Sequence, residues 1–137
     1  MPETDATPPI FEPFEMRGIT LPNRVVVSPM DMYCAVDGAP TEWHFVHYGS
    51  RAIGGAGFIV AEDTAVSEPG RITPGCAGLY RDDHIGAWKR ITDFVHEHTN
   101  SRIGVQIGHS GRRGSTKRMY HGQDDPLPEG NWEIVAP

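Results

Sequence analysis

Cysteine is scarce in this chain: Cys34 and Cys76 are the two among 137 residues. They stand far apart with no C-x-x-C spacing, which excludes a disulfide scaffold and a zinc site and leaves reduced thiols as the expectation. Positive charge is also in deficit, since 12 Lys and Arg against 18 Asp and Glu give a formal charge of -6. A general nucleic-acid binder needs the opposite balance to neutralise phosphates. No stretch approaches the ~20 apolar residues of a membrane span. The opening "MPETDATPPIFEPF" has neither a basic n-region nor an apolar h-region. These absences predict a cytoplasmic protein with neither a membrane nor a nucleic-acid partner. What is present, 38% apolar and 9% aromatic residues, suffices for one ordinary globular core.

Residues 1–22 are rich in Pro and acids, and Gly18 and Pro22 punctuate "MRGITLPNR" as a turn or small hairpin. From there one plan repeats: a strand over 23–29, a helix over 41–54, a strand over 57–62, a helix over 83–98 and a strand over 102–108. In the second helix Ile85, Trp88, Ile91 and Val95 recur at helical spacing, Asp82 or Asp83 can cap the start and Asn100 can stop the end. In the first, Thr41 is a cap candidate, Phe45, Val46, Tyr48, Ala52 and Ile53 include a core face, and the glycines at 49, 54 and 55 point to close packing. Strands joined by such helix-bearing connections imply a parallel sheet with functional groups at the carboxyl ends. The three post-strand segments are long and polar, which fits the rim of a (β/α)₈ barrel at least as well as a doubly wound sheet.

"NRVVVSPMDMY", residues 23–33, is the oddest stretch. Three valines read as a strand buried on both faces, Ser28-Pro29 stops it, and Asp31 then sits between two methionines and a tyrosine, where solvation is poor. On the third strand, Gln106 is an amide among apolar neighbours and needs partners if buried.

These residues carry a resemblance. "LPNRVVVSPMDMY", "GAGFIVAEDTAVSEPGRITPG" and "GVQIGHSGRRG" are similar to the Old Yellow Enzyme family of FMN-dependent, NAD(P)H-consuming ene-reductases, from about residue 10 onward. Within that family, "GHSG", "GST" and "PLPEGNW" most resemble the reductase portion of bifunctional salicylyl-CoA and aminobenzoyl-CoA hydroxylase-reductases. The resemblance implies a (β/α)₈ barrel, which takes upward of ~200 residues. Residues 1–22 are then expected as a lead-in and 23–137 as the first three βα units of an incomplete flavin-binding barrel. On this reading the chain is an N-terminal fragment, inactive alone, and is either completed by a missing C-terminal segment or part of a homo-oligomer. The intact protein is expected to pass hydride to the activated C=C of an enone or acyl-CoA ester.

Position by position, the resemblance puts Ser28, Pro29 and Met30 beside the flavin ring and Tyr33 on the substrate side. Asp31 takes the place where a cysteine or threonine tunes the flavin's reduction potential. The Asp63 N–H is expected at the flavin O4, where a small residue is usual, and Gln106 at the pyrimidine edge, to which its amide offers both donor and acceptor. Arg113 and Lys117, within the basic run "RRGSTKR", either meet phosphates of a CoA ester or nicotinamide cofactor or belong to a solvated loop. Arg112 matches a family arginine that serves the scaffold or a neighbouring subunit.

Plainer roles stand beside these. Ser28-Pro29 is a strand stop, Met30 and Met32 are core fillers, and Asp31 can cap the following turn. His109 either orients the ring or satisfies a carbonyl. Glu62 is expected to pair with an arginine of a neighbouring strand. His44 and His47 read as core or solvated histidines rather than metal ligands, because no third ligand stands at a recognised spacing. Cys34 reads as an ordinary thiol.

Overall fold

A computed structural model describes residues 7–122 and 124–136. Residues 1–6, from which part of the leader reading came, Gln123 and Pro137 lie outside the described residues. The lead-in forms a hairpin, with Phe14–Met16 (β1) antiparallel to Ile19–Leu21 (β2). Its turn residues Arg17 and Gly18 both have positive φ, 45° and 86°, the two-residue turn whose twist matches that of its strands. Then come Val26–Val27 (β3), Glu42–Ile53 (α1), Phe58–Ala65 (β4), His84–His98 (α2) and Arg102–Gly108 (β5). The parallel sheet has the order β3-β4-β5.

The first strand is shorter than the 23–29 expected. Asn23 spends its side chain on the Gly55 carbonyl and the Val25 N–H, at 2.8 and 3.0 Å, and Pro29 has no N–H to continue a ladder. Nor is it buried on both faces, since Val26 is 53% exposed. It lines an apolar cavity of about 390 Å³ with Phe14, Met16, Leu21, Phe58 and Val60.

The helices cover the other face. Ile59 and Ala61 of β4 pack against Tyr48 and Ala52 of α1 and Trp88, Ile91 and Val95 of α2. The α2 stripe is Trp88, Ile91 and Val95 as the spacing implied, but His84 takes the place expected for Ile85, which is exposed. In α1, Tyr48 and Ala52 are buried while Val46 and Ile53 face outward. Gly49 is where the helices touch, because a Cβ there would stand 3.1 Å from the Phe94 ring. Asp83 precedes α2 without a side-chain cap bond, its carboxylate being held by Arg81 at 2.7 Å. After β5 the chain folds back on the loop following β4, where Trp132 donates to the Pro69 carbonyl at 3.2 Å and lies 5.0 Å from the Arg71 guanidinium.

One irregularity decides what the sheet presents. Ala61 pairs with Val105, yet it is Asp63, not Glu62, that pairs with Gln106. The extra residue is a β-bulge, which bends a strand and re-aims its side chains. Asp63 thereby joins the face of Gln106, while Glu62 turns into the α1 side and is 1% exposed. The displaced Glu62 N–H donates to the Tyr48 hydroxyl at 2.9 Å. Tyr48→Phe removes that acceptor from a dry core. The variant is expected to lose about 1–3 kcal/mol, read as a lowered midpoint in denaturant unfolding of the protein.

Candidate functional site

Groups from all three post-strand segments meet at the carboxyl ends of the sheet. Asp31 follows β3, Asp63 lies on β4 past the bulge, Gln106 is near the end of β5, and His109 and Arg113 follow it. With Ile72, Gly108 and Ser110 they line a cavity of about 340 Å³. A second cavity of about 340 Å³, at the opposite strand ends beside Pro22, Ala56 and Ser101, has His98 as the one titratable side chain in its lining. The carboxyl-rim cavity is the one that gathers Asp31, Asp63, Gln106 and Arg113, the residues the sequence singled out.

Asp31 does not cap its own turn. Its Oδ1 accepts the Asp63 N–H at 3.0 Å, so the amide expected to face a flavin carbonyl is taken by a neighbouring carboxylate. Glu62 answers from the other side, its Oε2 accepting the Met32 N–H at 2.9 Å. The other Glu62 oxygen receives His44 Nε2 at 3.0 Å, and His44 Nδ1 accepts the Thr41 N–H at 2.9 Å. These bonds assign the proton to Nε2 of a neutral ring. The partner expected for Glu62, an arginine of a neighbouring strand, is thus corrected to His44 of α1. The bulge aims the carboxylate at the helix rather than along the sheet.

The environment raises the proton affinity of its acids. Burial pushes the Asp31 carboxyl up, and the charges of Glu62 and Asp63 add to it. Burial also raises Asp63, with Glu62 second. Tyr33, in the left-handed region with φ 53°, is buried, and its hydroxyl is pushed up to about 12 by burial first and the Asp31 charge next. Its ring meets Tyr120 edge-on at 6.4 Å.

The remaining expected residues divide. Gln106 is exposed on the cavity, and its amide makes no side-chain bond to a described residue, leaving donor and acceptor free. Ser28 and Met30 are exposed and Pro29 is half-buried, on the segment leading to Asp31. Arg113 lines the cavity, but its Nε and Nη2 both hold Asp124 Oδ1, at 3.0 and 2.7 Å. Lys117 is outside the lining and pairs with Asp125 at 3.3 Å. Cys34 Sγ lies 3.8 and 4.0 Å from the two ring nitrogens of His44, across the ring rather than in line with a lone pair, and burial raises its thiol.

A polar rim at the carboxyl ends of a parallel α/β sheet defines a small-molecule site of the barrel or open-sheet class. Comparison with known proteins names the family. Residues 9–131 match the model of the NADH:flavin oxidoreductase / NADH oxidase family, and the chain belongs to it. It is 42% identical over 113 residues to an NADH:flavin oxidoreductase of Gibberella zeae, covering 82% of this chain and 27% of that protein. It is 43% identical over 106 residues to an NADPH dehydrogenase of Listeria monocytogenes, covering 76% and 31%. Among solved structures, morphinone reductase in complex with tetrahydroNAD superposes with TM-score 0.72 at 31% identity, over 80% of this chain and 29% of that one. The old yellow enzyme homologue of Zymomonas mobilis gives 0.70 at 33%, over 77% and 29%. The fold is the N-terminal α/β part of such a barrel, and the chain spans less than a third of the length of these relatives.

The raised Asp31 pKa has a signed consequence. Folding favours its protonated form, so its contribution to stability is full below the unfolded value near 3.8 and is lost as pH rises through the raised folded value. Asp31→Asn keeps an acceptor for the Asp63 amide and cannot ionise. The variant is expected to match the parent at acid pH and to exceed it in stability at neutral pH, as read by denaturant unfolding across pH.

Proposed function

We propose that the protein carrying this chain is an FMN-dependent NAD(P)H oxidoreductase of the ene-reductase type, reducing an activated C=C conjugated to a carbonyl. The observation that carries the reading is the free Gln106 amide on the carboxyl rim of a member of a flavin oxidoreductase family. Its donor and acceptor suit a flavin's pyrimidine edge, which presents both. Bound FMN supplies the hydride relay between the nicotinamide and the alkene, and the protein supplies binding and electrostatics.

This chain's residues take the following parts. Gln106 recognises the ring edge, and Ser28, Pro29 and Met30 form the ledge beside it. The Asp63 amide is available to a cofactor carbonyl once the Asp31 carboxylate turns away from it. Ionised, Asp31 opposes negative charge on the bound group, since two unit charges ~4 Å apart interact by about 4 kcal/mol at an effective dielectric of ~20. Protonated, it donates a hydrogen bond instead, and burial beside Glu62 and Asp63 favours that form. Tyr33 lines the substrate side.

An acyl-CoA ester is the finer substrate proposal, supported by the likeness of "PLPEGNW" and "GHSG" to the salicylyl-CoA and aminobenzoyl-CoA hydroxylase-reductases. It assigns substrate phosphate to Arg113, which would have to leave Asp124. Lys117 would reach the same substrate only from its place beside Asp125. The free thiols Cys34 and Cys76 suit the cytoplasm as the working compartment.

A second reading, of this stretch as an assembly element without flavin, is favoured by the sheet's edges. Among the described residues β3 and β5 each pair only with β4, and Ile107 is 66% exposed. Such edges recruit other strands, either from the rest of the protein or from another copy.

The full-length protein is expected to show a flavin spectrum and to oxidise NAD(P)H in the presence of an enone. Gln106→Leu is expected to weaken FMN binding by about tenfold or more, in line with the loss of two buried hydrogen bonds. A flavin-reconstituted protein that never oxidises reduced nicotinamide would rule the reading out. Aromatic acyl-CoA esters tested against simple enones decide the substrate class.

A further inference from the structure

The end of β3 and the end of β4 are joined by a reciprocal pair of bonds rather than by a ladder. Ladder pairing of β3 stops at Val27. Beyond it, Glu62 accepts the N–H of Met32, the residue after Asp31, and Asp31 accepts the N–H of Asp63, the residue after Glu62. Each carboxylate thus binds the amide next to the other. The two halves are unequal. Asp31 is partly open to the cavity, whereas Glu62 and His44 are 1% and 0% exposed. Every atom of the buried half has an assigned partner: Thr41 N–H to His44 Nδ1, His44 Nε2–H to Glu62 Oε1, Met32 N–H to Glu62 Oε2 and Glu62 N–H to the Tyr48 hydroxyl.

We propose that Glu62, held by His44, is the positioning residue of this site: it fixes the backbone of Met30–Tyr33 independently of Asp31, and its carboxylate, beside that of Asp31, adds to burial in holding a proton there. When Asp31 turns toward a bound group, Glu62 keeps the Met32 amide and the segment stays in place. A neutral His44 leaves the negative charge of Glu62 uncompensated, and that charge bears on the nearest group able to titrate. Asp31 is faced by Glu62 and Asp63 from β4, Tyr33 from its own segment, Tyr48 from α1, Cys76 from the loop after β4 and Arg113 from the segment after β5. Of these, Arg113 alone is a cation, and it is bonded to Asp124.

The inference deepens the flavin-site reading and rests on it for its catalytic consequence, but its first measurement needs no cofactor. The Asp31 side-chain carboxyl carbon is titrated by NMR in the flavin-free protein, with Asp31→Asn assigning the signal. Glu62→Gln is expected to lower the Asp31 midpoint by about one pH unit, the size of a like-charge contact removed. His44→Gln, whose amide can donate to Glu62 and accept from Thr41, is expected to leave it within a few tenths of a unit. Should Glu62→Gln not fold, His44→Leu carries the test: it removes the Nε2–H donor that holds Glu62 and is expected to speed hydrogen exchange of the Met32 amide, while His44→Gln restores its protection. An Asp31 midpoint unmoved in folded Glu62→Gln, or Met32 exchange unmoved in His44→Leu, overturns the inference. In the flavin-loaded protein, Glu62→Gln is then expected to change the pH dependence of the flavin midpoint potential, and to lose that effect in an Asp31→Asn background. An equal effect in both backgrounds also overturns it, whereas failure to bind flavin with the titration shift intact counts against the flavin reading alone.

Discussion

A carboxylate taken out of water must be met by hydrogen-bond donors, and in this chain the solvation of Glu62 sets the geometry around it. Burying an ionised carboxyl without partners costs far more than a small domain can spare. Breaking a buried pair by removing one partner typically costs about 3–5 kcal/mol. The donors here come from two separate elements, His44 of α1 and the Met32 amide past β3. The same helix is held a second time, because the bulge displaces the Glu62 amide onto the Tyr48 hydroxyl of α1. One residue therefore ties the first helix, the first parallel strand and the second together at the carboxyl rim.

The same bulge gives the rim its electrostatic character. With regular pairing Asp63 would point to the helices; displaced by one residue it shares the face of Gln106 and lines the cavity with Asp31. Two carboxyls thus stand near a third that is buried and anchored, and burial first, with the charge of Glu62 next, raises both Asp31 and Asp63. The nearby cation, Arg113, is paired outward with Asp124 in an exposed ion pair, and such pairs contribute little. It is accordingly a group that an anionic ligand can recruit at small cost.

The rest of the fold leaves apolar surface exposed. Helices cover one face of the sheet, and on the other the hairpin and strands leave an apolar cavity of about 390 Å³. Val26 and Ile107 are apolar positions left exposed, and the chain spans 27% and 31% of two relatives.

Much of this was legible from residues alone, because helix periodicity, strand stops and turn residues are local signals. Trp88, Ile91 and Val95 mark α2 at helical spacing, Pro29 ends β3 through its missing N–H, and "GVQIG" reads as a strand with a polar residue in its midst. The clustering of Asp31, Asp63 and Gln106 at one rim also followed, since parallel strands bring their carboxyl ends together. The partners of Glu62 were not legible. A bulge arises from the balance of packing on both sides of a strand, no residue type announces it at Glu62, and without it the carboxylate points to the wrong face. His44 looked like an ordinary core histidine because its partner is eighteen residues away across a helix–strand contact. The sequence by itself determined which segments form strands and helices and which loops carry chemistry, because those depend on neighbours along the chain. Tertiary packing alone decided which amide each carboxylate holds, because that depends on a one-residue shift in register that only the assembled sheet and helix define.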